Sequence, residues 1–473
     1  MTIKCPRIVI AGLKGGSGKT IAALGIVHAL AGQGLDIVPF KKGPDYIDAE
    51  WLSKSAGRPC YNLDPFLMDK HIILSSFAAR SSQAELAVVE GNRGIFDGVD
   101  EQGRTSTARL ATWLKAPVIL VVDCTKATRT IAALVLGCKA FDPNLDIGGV
   151  ILNRIGTKRQ ESVVRNAIER YTGIPVLGVI KRLKKDPLPM RHLGVTPTDE
   201  HPDLLNALDS LKRLIEQDVD LDSIKRLAST APFLNFSAVR QNGENLVSQE
   251  ETISGRPSIG VLRDAAFQFY YPENLEALES NGAKLFFINS LTDEHLPRID
   301  ALYIGGGFPE TQAAKLTANT KLRLSIREAV ESGMPVYAEC GGLMFLGRNI
   351  IWKDKKFPMV GAIDWDFVVE KKPAGHGYTN LEVIEPNPFY PKGTLLRGHE
   401  FHYSRPVPCS GKPRGKFSCK VTRGAGFCDN LEGLCYKGLF ATYTHIHALS
   451  CPKWAKALVA AATKFGKQRH KKS

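Results

Sequence analysis

The most constraining feature of this chain is RIVIAGLKGGSGKT, residues 7–20, in which an apolar run enters a glycine-rich loop and leaves through Lys19 and Thr20 into the helical pattern IAALGIVHAL. A buried strand that turns through glycines into a helix points successive backbone N–H groups, and the positive end of the helix dipole, at one anion. The segment predicts a phosphate site in a parallel α/β sheet. Gly15, Gly16, Ser17 and Gly18 form the cradle, Lys19 reaches the outer phosphates of ATP, and Thr20 holds Mg²⁺. Leu13 stands where the strict pattern has its first glycine.

Up to about Thr230, β-branched runs alternate with helical patterns, the signature of a parallel sheet covered on both faces. Strands are expected from Arg7 to Ala11, Leu86 to Glu90, Pro117 to Asp123, Asp146 to Asn153 and Pro175 to Ile180, each ending where such sheets bind ligands. After a second strand, IVPFKKGPDYIDAEW puts Asp45 and Asp48 in a loop, and ELAVVEGNRGIFDG carries Glu90 at a strand end and Asp97 between glycines. An acidic residue leaving a strand beside a phosphate loop is the usual second anchor for Mg²⁺, and Glu90 takes that part. Asp45 and Asp48 read either as turn formers or, with Glu90, as a cluster that brings metal, ATP and an acceptor acid together.

Residues 235–257 are polar and aperiodic and read as a linker. Beyond them strands are expected at Ser258 to Arg263, Lys284 to Ile288, Ala301 to Ile304 and Pro335 to Ala338. MPVYAECGGLMFLG then runs a strand into Cys340, two glycines and a helix, a sharp turn that exposes a nucleophile and whose helix dipole favours thiolate. ALYIGGGFPE offers Gly305, Gly306 and Gly307 as an oxyanion loop, with the N–H of Gly341 as the second donor.

With 473 residues the chain needs two or three domains, and 44% hydrophobic with 23% charged residues is a soluble composition. No run of about eighteen apolar residues occurs and the start enters a strand directly, so no membrane segment and a cytoplasmic location are expected. The net charge of +14 suits polyanions, but KRLKK at Lys181 to Lys185 and the tail KFGKQRHKKS lack interleaved aromatics and read as solvated runs, with no nucleic acid as partner. The ten cysteines form no CxxC pair and match no zinc module, so reduced thiols are expected.

KGGSGKT resembles the deviant Walker A loop of the MinD and nitrogenase-iron-protein ATPases, where the early lysine, here Lys14, touches phosphate across a homodimer; a solvated loop lysine is the equal alternative. GPDYIDAEWL, VVEGNRGIFDG, AECGGLMFL, GHEFHYS and the H-x-H of ATYTHIHAL together resemble the cobyrinate a,c-diamide synthase family over essentially the whole chain. The resemblance implies an α/β protein with an N-terminal P-loop, dethiobiotin-synthetase-like parallel-sheet domain (1–234) and a C-terminal class I glutamine amidotransferase α/β domain (258–473). It further implies that ATP phosphorylates a carboxylate of a tetrapyrrole and that ammonia from L-glutamine displaces the phosphate.

Carried over by position, Lys19 and Thr20 serve ATP and Mg²⁺, Glu90 serves the metal, and Asp45, Tyr46, Asp48 and Asp97 line the carboxylate-transfer site. Asn153 reads adenine or caps the next element. Cys340 is the nucleophile and His445 its base. Other class I amidotransferases place a glutamate two residues after that histidine, whereas this chain has His447, which predicts a base without a carboxylate orienter. RGHEFHYS, with His399, Glu400, His402 and Tyr403, is either a buried hydrogen-bond cluster or a substrate contact. One rival is the same chemistry on nickel-sirohydrochlorin. Another, a partitioning or metal-delivery ATPase, predicts no glutaminase half, against which Cys340, the triple glycine and His445 stand.

Overall fold

The computed structural model describes every residue except 1, 184–187, 189, 192–193, 202, 237–255, 410–412 and 472–473. The expected linker 235–257 lies almost wholly outside the described residues, as do Lys184 and Lys185 of the KRLKK run and the last two residues of the tail. The chain divides into two compact units, Met1–Glu244 and Asn245–Ser473.

In the first unit, seven parallel strands run β1 (Arg7–Gly12), β2 (Ile37–Lys42), β3 (Tyr61–Leu63), β4 (Leu86–Glu90), β5 (Val118–Asp123), β6 (Ile147–Ile155) and β7 (Val176–Lys181), in the order β3-β2-β4-β1-β5-β6-β7. β1, β2 and β4 are buried at every residue, which explains their almost unbroken apolar sequences. Helix α1 (Lys19–Gly32) follows β1 and α2 (Ile47–Ala56) follows β2. Because β1 lies between β4 and β5, the loop after it opens beside the carboxyl end of β4, where Glu90 sits.

The second unit carries a ten-stranded mixed sheet. Its parallel part comprises β8 (Ser258–Leu262), β9 (Lys284–Ile288), β10 (Ala301–Ile304) and β11 (Val336–Glu339). Its antiparallel part comprises β12 (Gly375–Val383), β13 (Leu395–His402), β14 (Lys416–Arg423) and β15 (Leu431–Tyr436), followed by β16 (Leu439–Thr442) and β17 (His445–Ile446). The spatial order is β9-β8-β10-β11-β16-β15-β14-β12-β13-β17. β16 joins the two parts by lying parallel to β11, from Val336 against Leu439 to Glu339 against Thr442. That register brings Cys340, one residue past β11, next to the segment that leaves β16 toward His445. Helix α3 (Pro272–Ser280) follows β8, α4 (Gly341–Leu346) follows Cys340, and α5 (Lys453–His470) ends the chain with Trp454 fully buried. Among the described residues no helix is long and apolar enough to cross a membrane.

Candidate active sites

The glycine loop closes around itself. Ser17 Oγ donates to the Lys14 carbonyl and accepts the Lys14 N–H (2.5 and 3.2 Å), and Lys19 Nζ donates to the same carbonyl at 3.1 Å. Gly16 and Gly18 have φ of 72° and 93°, a backbone that suits glycine. A Cβ on Gly18 would also run into the amide of Asn153, whose Nδ2 donates to the Ser17 carbonyl at 2.7 Å while its Oδ1 accepts the Arg154 N–H at 2.9 Å. The Asn153 amide therefore pins the loop from behind. Gly18 precedes α1 without a side-chain cap and the first turn holds no acidic residue, so the leading N–H groups of the helix are left for an anion. Gly15 and Lys14 are exposed at the tip.

Behind this loop lies a charged cluster that is almost dry. Thr20 Oγ1 donates to Glu90 Oε1 at 2.7 Å. Lys41, 1% exposed, binds Asp48 Oδ2 at 2.6 Å and lies 3.2 Å from Glu90 Oε2. Burial works against the Lys41 charge, but Asp48 and Glu90 outweigh it and hold the ammonium firmly. Burial pushes Glu90 up to about 7, with Lys41 pulling the other way, and burial together with Asp48 pushes Asp45 up to about 6. Asp45 Oδ1 also accepts the Asp48 N–H (3.0 Å), tying down the start of α2. Tyr46 is half-buried at the head of that helix, with its carbonyl accepting the Glu50 N–H at 2.9 Å. Asp97 is exposed, closes its own loop by accepting the Gly94 N–H (2.8 Å), and adds its field to that of Glu90 at Lys19. Burial lowers Lys19.

In the second unit Cys340 has φ 46° and ψ −98°, a strained turn between β11 and α4. The strain is held by the Cys340 N–H donating to the Thr442 carbonyl (2.7 Å) and the Gly342 N–H donating to the Gly305 carbonyl (3.1 Å). A Cβ on Gly341 would lie 3.0 Å from the Gly307 nitrogen, and one on Gly306 would strike the ring of His445. The glycine loop, the elbow and the imidazole thus meet at van der Waals contact. The Gly305 N–H is committed to the Tyr270 hydroxyl at 2.7 Å. His445 Nδ1 lies 3.4 Å from Glu339 Oε2, a carboxylate with no exposure that also accepts the Tyr303 hydroxyl (3.3 Å) and, through Oε1, the Ile446 N–H (3.3 Å). Burial, reinforced by Glu310, pushes the Cys340 thiol well up, against which the Gly341 N–H works. The ring of His399 stacks on His445 at 4.9 Å and 20°. Burial first, then His445 and His447, hold His399 far below the ordinary histidine range and so neutral.

Residues 8–195 match the CobQ/CobB/MinD/ParA nucleotide binding domain, and residues 258–452 match the CobB/CobQ-like glutamine amidotransferase domain. Three proteins named cobyrinate a,c-diamide synthase align over 97% of this chain: that of Magnetococcus marinus at 42% identity, covering 97% of its own length, and those of Archaeoglobus fulgidus and Syntrophotalea carbinolica at 40% and 38%, each covering 98%. The chain belongs to the cobyrinate a,c-diamide synthase family. It is a glutamine-dependent ligase that forms C–N bonds, built from a nucleotide-binding P-loop domain and an amidotransferase domain.

Two expectations about this ligase are corrected by its geometry. His445, expected from sequence to lack a carboxylate orienter, does have a carboxylate beside it: Glu339, the residue before Cys340. The thiolate expected at the head of the six-residue α4 is also opposed, because burial of the sulfur pushes the Cys340 thiol up. RGHEFHYS forms a buried cluster: Glu400 accepts the N–H groups of Ala425 and Gly426, His402 stacks on Tyr443 at 3.7 Å, and the Phe401 carbonyl faces the Cys340 sulfur at 3.8 Å. Sequence reasoning missed Lys41 and Glu339. The signal for each was ionisable residues closing an apolar, fully buried strand, Lys41 with Lys42 in one and Glu339 in the other.

Proposed function

We propose that this ligase amidates the a- and c-acetate carboxylates of cobyrinate, using one ATP and one glutamine for each amide. The observation that supports the reading is the largely buried cluster of Thr20, Glu90, Lys41 and Asp48 behind the phosphate loop, which on this reading is where phosphate, metal and an acceptor carboxylate would meet. The names of its relatives supply the substrate.

The oxygens of Thr20 and Glu90 fit Mg²⁺, which takes few protein ligands and keeps water and phosphate for the rest. Glu90 Oε2 is buried and lies 3.2 Å from the Lys41 ammonium, so an ion bound there would share that oxygen with Lys41. Bound there, the ion would neutralise phosphate charge. Lys19 and the loop N–H groups stabilise the transferring phosphoryl group, and Asn153 keeps the loop in shape. Asp45, Tyr46, Asp48 and Asp97 line the acceptor side. An acetate oxygen attacks the γ-phosphorus, ADP leaves, and ammonia then displaces phosphate from the acyl phosphate to form the amide.

At the second site His445, held by Glu339, removes the Cys340 proton as glutamine binds, and the sulfur attacks the amide carbon. The N–H groups of Gly306, Gly307 and Gly341 receive the oxyanion, ammonia departs with the proton from His445, and water hydrolyses the thioester to glutamate. The test is mass spectrometry of products from cobyrinate and, separately, nickel-sirohydrochlorin with ATP, Mg²⁺ and glutamine. Two added amides on cobyrinate are expected; turnover of the nickel macrocycle alone would transfer the reading to that substrate.

A further inference from the structure

His447 occupies the place where a triad glutamate was looked for, yet it points elsewhere. Its ring has no exposure, and its Nδ1 accepts the Leu449 N–H at 3.1 Å, which leaves the proton on Nε2. That nitrogen lies 3.5 Å from Oε1 of Glu273, a carboxylate 2% exposed in the first turn of α3. The separation is that of a buried electrostatic contact rather than a tight hydrogen bond. Among the described residues neither His447 Nε2 nor either Glu273 oxygen has a hydrogen bond, and the 3.5 Å contact is what the two buried groups share.

The neighbours of Glu273 grip the same short stretch. Asn274 Nδ2 donates to the Ile446 carbonyl (3.0 Å) and its Oδ1 accepts the Ala448 N–H (2.7 Å). The Tyr271 ring packs on His447 at 4.6 Å, and its hydroxyl reaches His399 Nδ1 at 3.4 Å. Going the other way along the chain, Tyr270 takes the Gly305 N–H and the Phe269 N–H donates to the Gly306 carbonyl at 3.0 Å. Residues 269–274 therefore touch the glycine loop at one end and the strand of the base at the other. That strand, β17, is two residues long and pairs with β13 only through Gly398 and His399. A ladder so short fixes the imidazole poorly by itself.

We propose that His447 and Glu273 form a positioning clasp that locks β17 to the segment 269–274, and so sets the distance between the base His445 and the oxyanion loop. The inference rests on the assignment of His445 as base.

The test uses the full-length enzyme and exploits the two ends of the ring. His447→Asn keeps an acceptor near the Nδ1 position and withdraws the arm from Glu273, whereas His447→Gln keeps a donor near the Nε2 position. His447→Asn is expected to lower kcat for glutamine hydrolysis by about 10- to 100-fold, since a misplaced catalytic group loses rate far more than binding. KM for glutamine should stay within about threefold, and His447→Gln should recover most of the rate. Ammonia-driven amidation should be unaffected in both. A normal kcat in His447→Asn, or an equal loss in His447→Gln, overturns the clasp. If His447→Asn does not fold, Glu273→Asp keeps the charge but shortens the reach by one methylene, and should show the same fall in kcat at constant KM; a normal kcat there overturns the proposal too. His445→Ala is the control for the underlying reading: full hydrolysis in that variant removes His445 as base, whatever the clasp does.

Discussion

Glu339 and Cys340 are consecutive, yet the strained turn at Cys340 sends their side chains to different neighbours: the carboxylate faces the imidazole 3.4 Å away and the sulfur faces the Phe401 carbonyl at 3.8 Å. Glu339→Gln keeps the shape and removes the charge that steadies an imidazolium. The turnover of glutamine should fall on the order of 10²- to 10⁴-fold in a steady-state glutaminase assay; an unchanged rate would return His445 to the status of a lone base. In the other unit the decisive residues are acids held above their ordinary range, Glu90 at about 7 and Asp45 at about 6 against 4.5 and 3.8 in free form. The folded protein binds these protons more tightly than the unfolded chain. Their contribution to stability is thus fully present below about 4 and lost as pH rises through about 7. The melting temperature of the ligand-free protein should accordingly decline across that window. Mg²⁺ with a non-hydrolysable ATP analogue should bind with proton release at its acid end, read by calorimetry in buffers of different ionisation enthalpy. No proton release would mean Glu90 is already charged.

At the scale of the element, the phosphate loop is specified twice, by its glycines and by the strand end behind it. Gly18→Ala forces φ 93° on a residue with a Cβ and drives that carbon into Asn153, a strain of about 1–3 kcal/mol. Nucleotide affinity should drop at least about tenfold by calorimetry, and retained affinity would show that the loop adopts its shape without Asn153. Those glycines, the β1 and β4 strands and the Cys340 elbow were legible in sequence because local backbone demands write themselves into local residue choice. Lys41, Glu339 and the pairing of Glu273 with His447 were not. Their partners come from other strands and helices, and a lysine or glutamate reads as surface until its neighbours are known. The antiparallel strands β12 to β15 escaped notice for another reason. Half-buried strands such as KFSCKVTR carry a mixed composition that single-sequence patterning does not separate from loops.

At the scale of the whole chain, the proposed mechanism puts ammonia production and ammonia use in different units, so they should fail separately. Cys340→Ser should reduce glutamine-driven synthesis by several orders of magnitude, a nucleophile being worth roughly a millionfold. ATP-dependent amidation should return when ammonium salt is supplied at high pH. A folded variant that added ammonia does not rescue would contradict this division. The parallel pairing of β11 with β16 also fixes an order of events. Cys340 must wait for a strand about a hundred residues further on, a separation that makes such contacts slow to form. During synthesis on the ribosome the sheet of the first unit can therefore close long before the amidotransferase sheet does, and a nascent chain holds Cys340 before Thr442 and His445 exist to stand beside it.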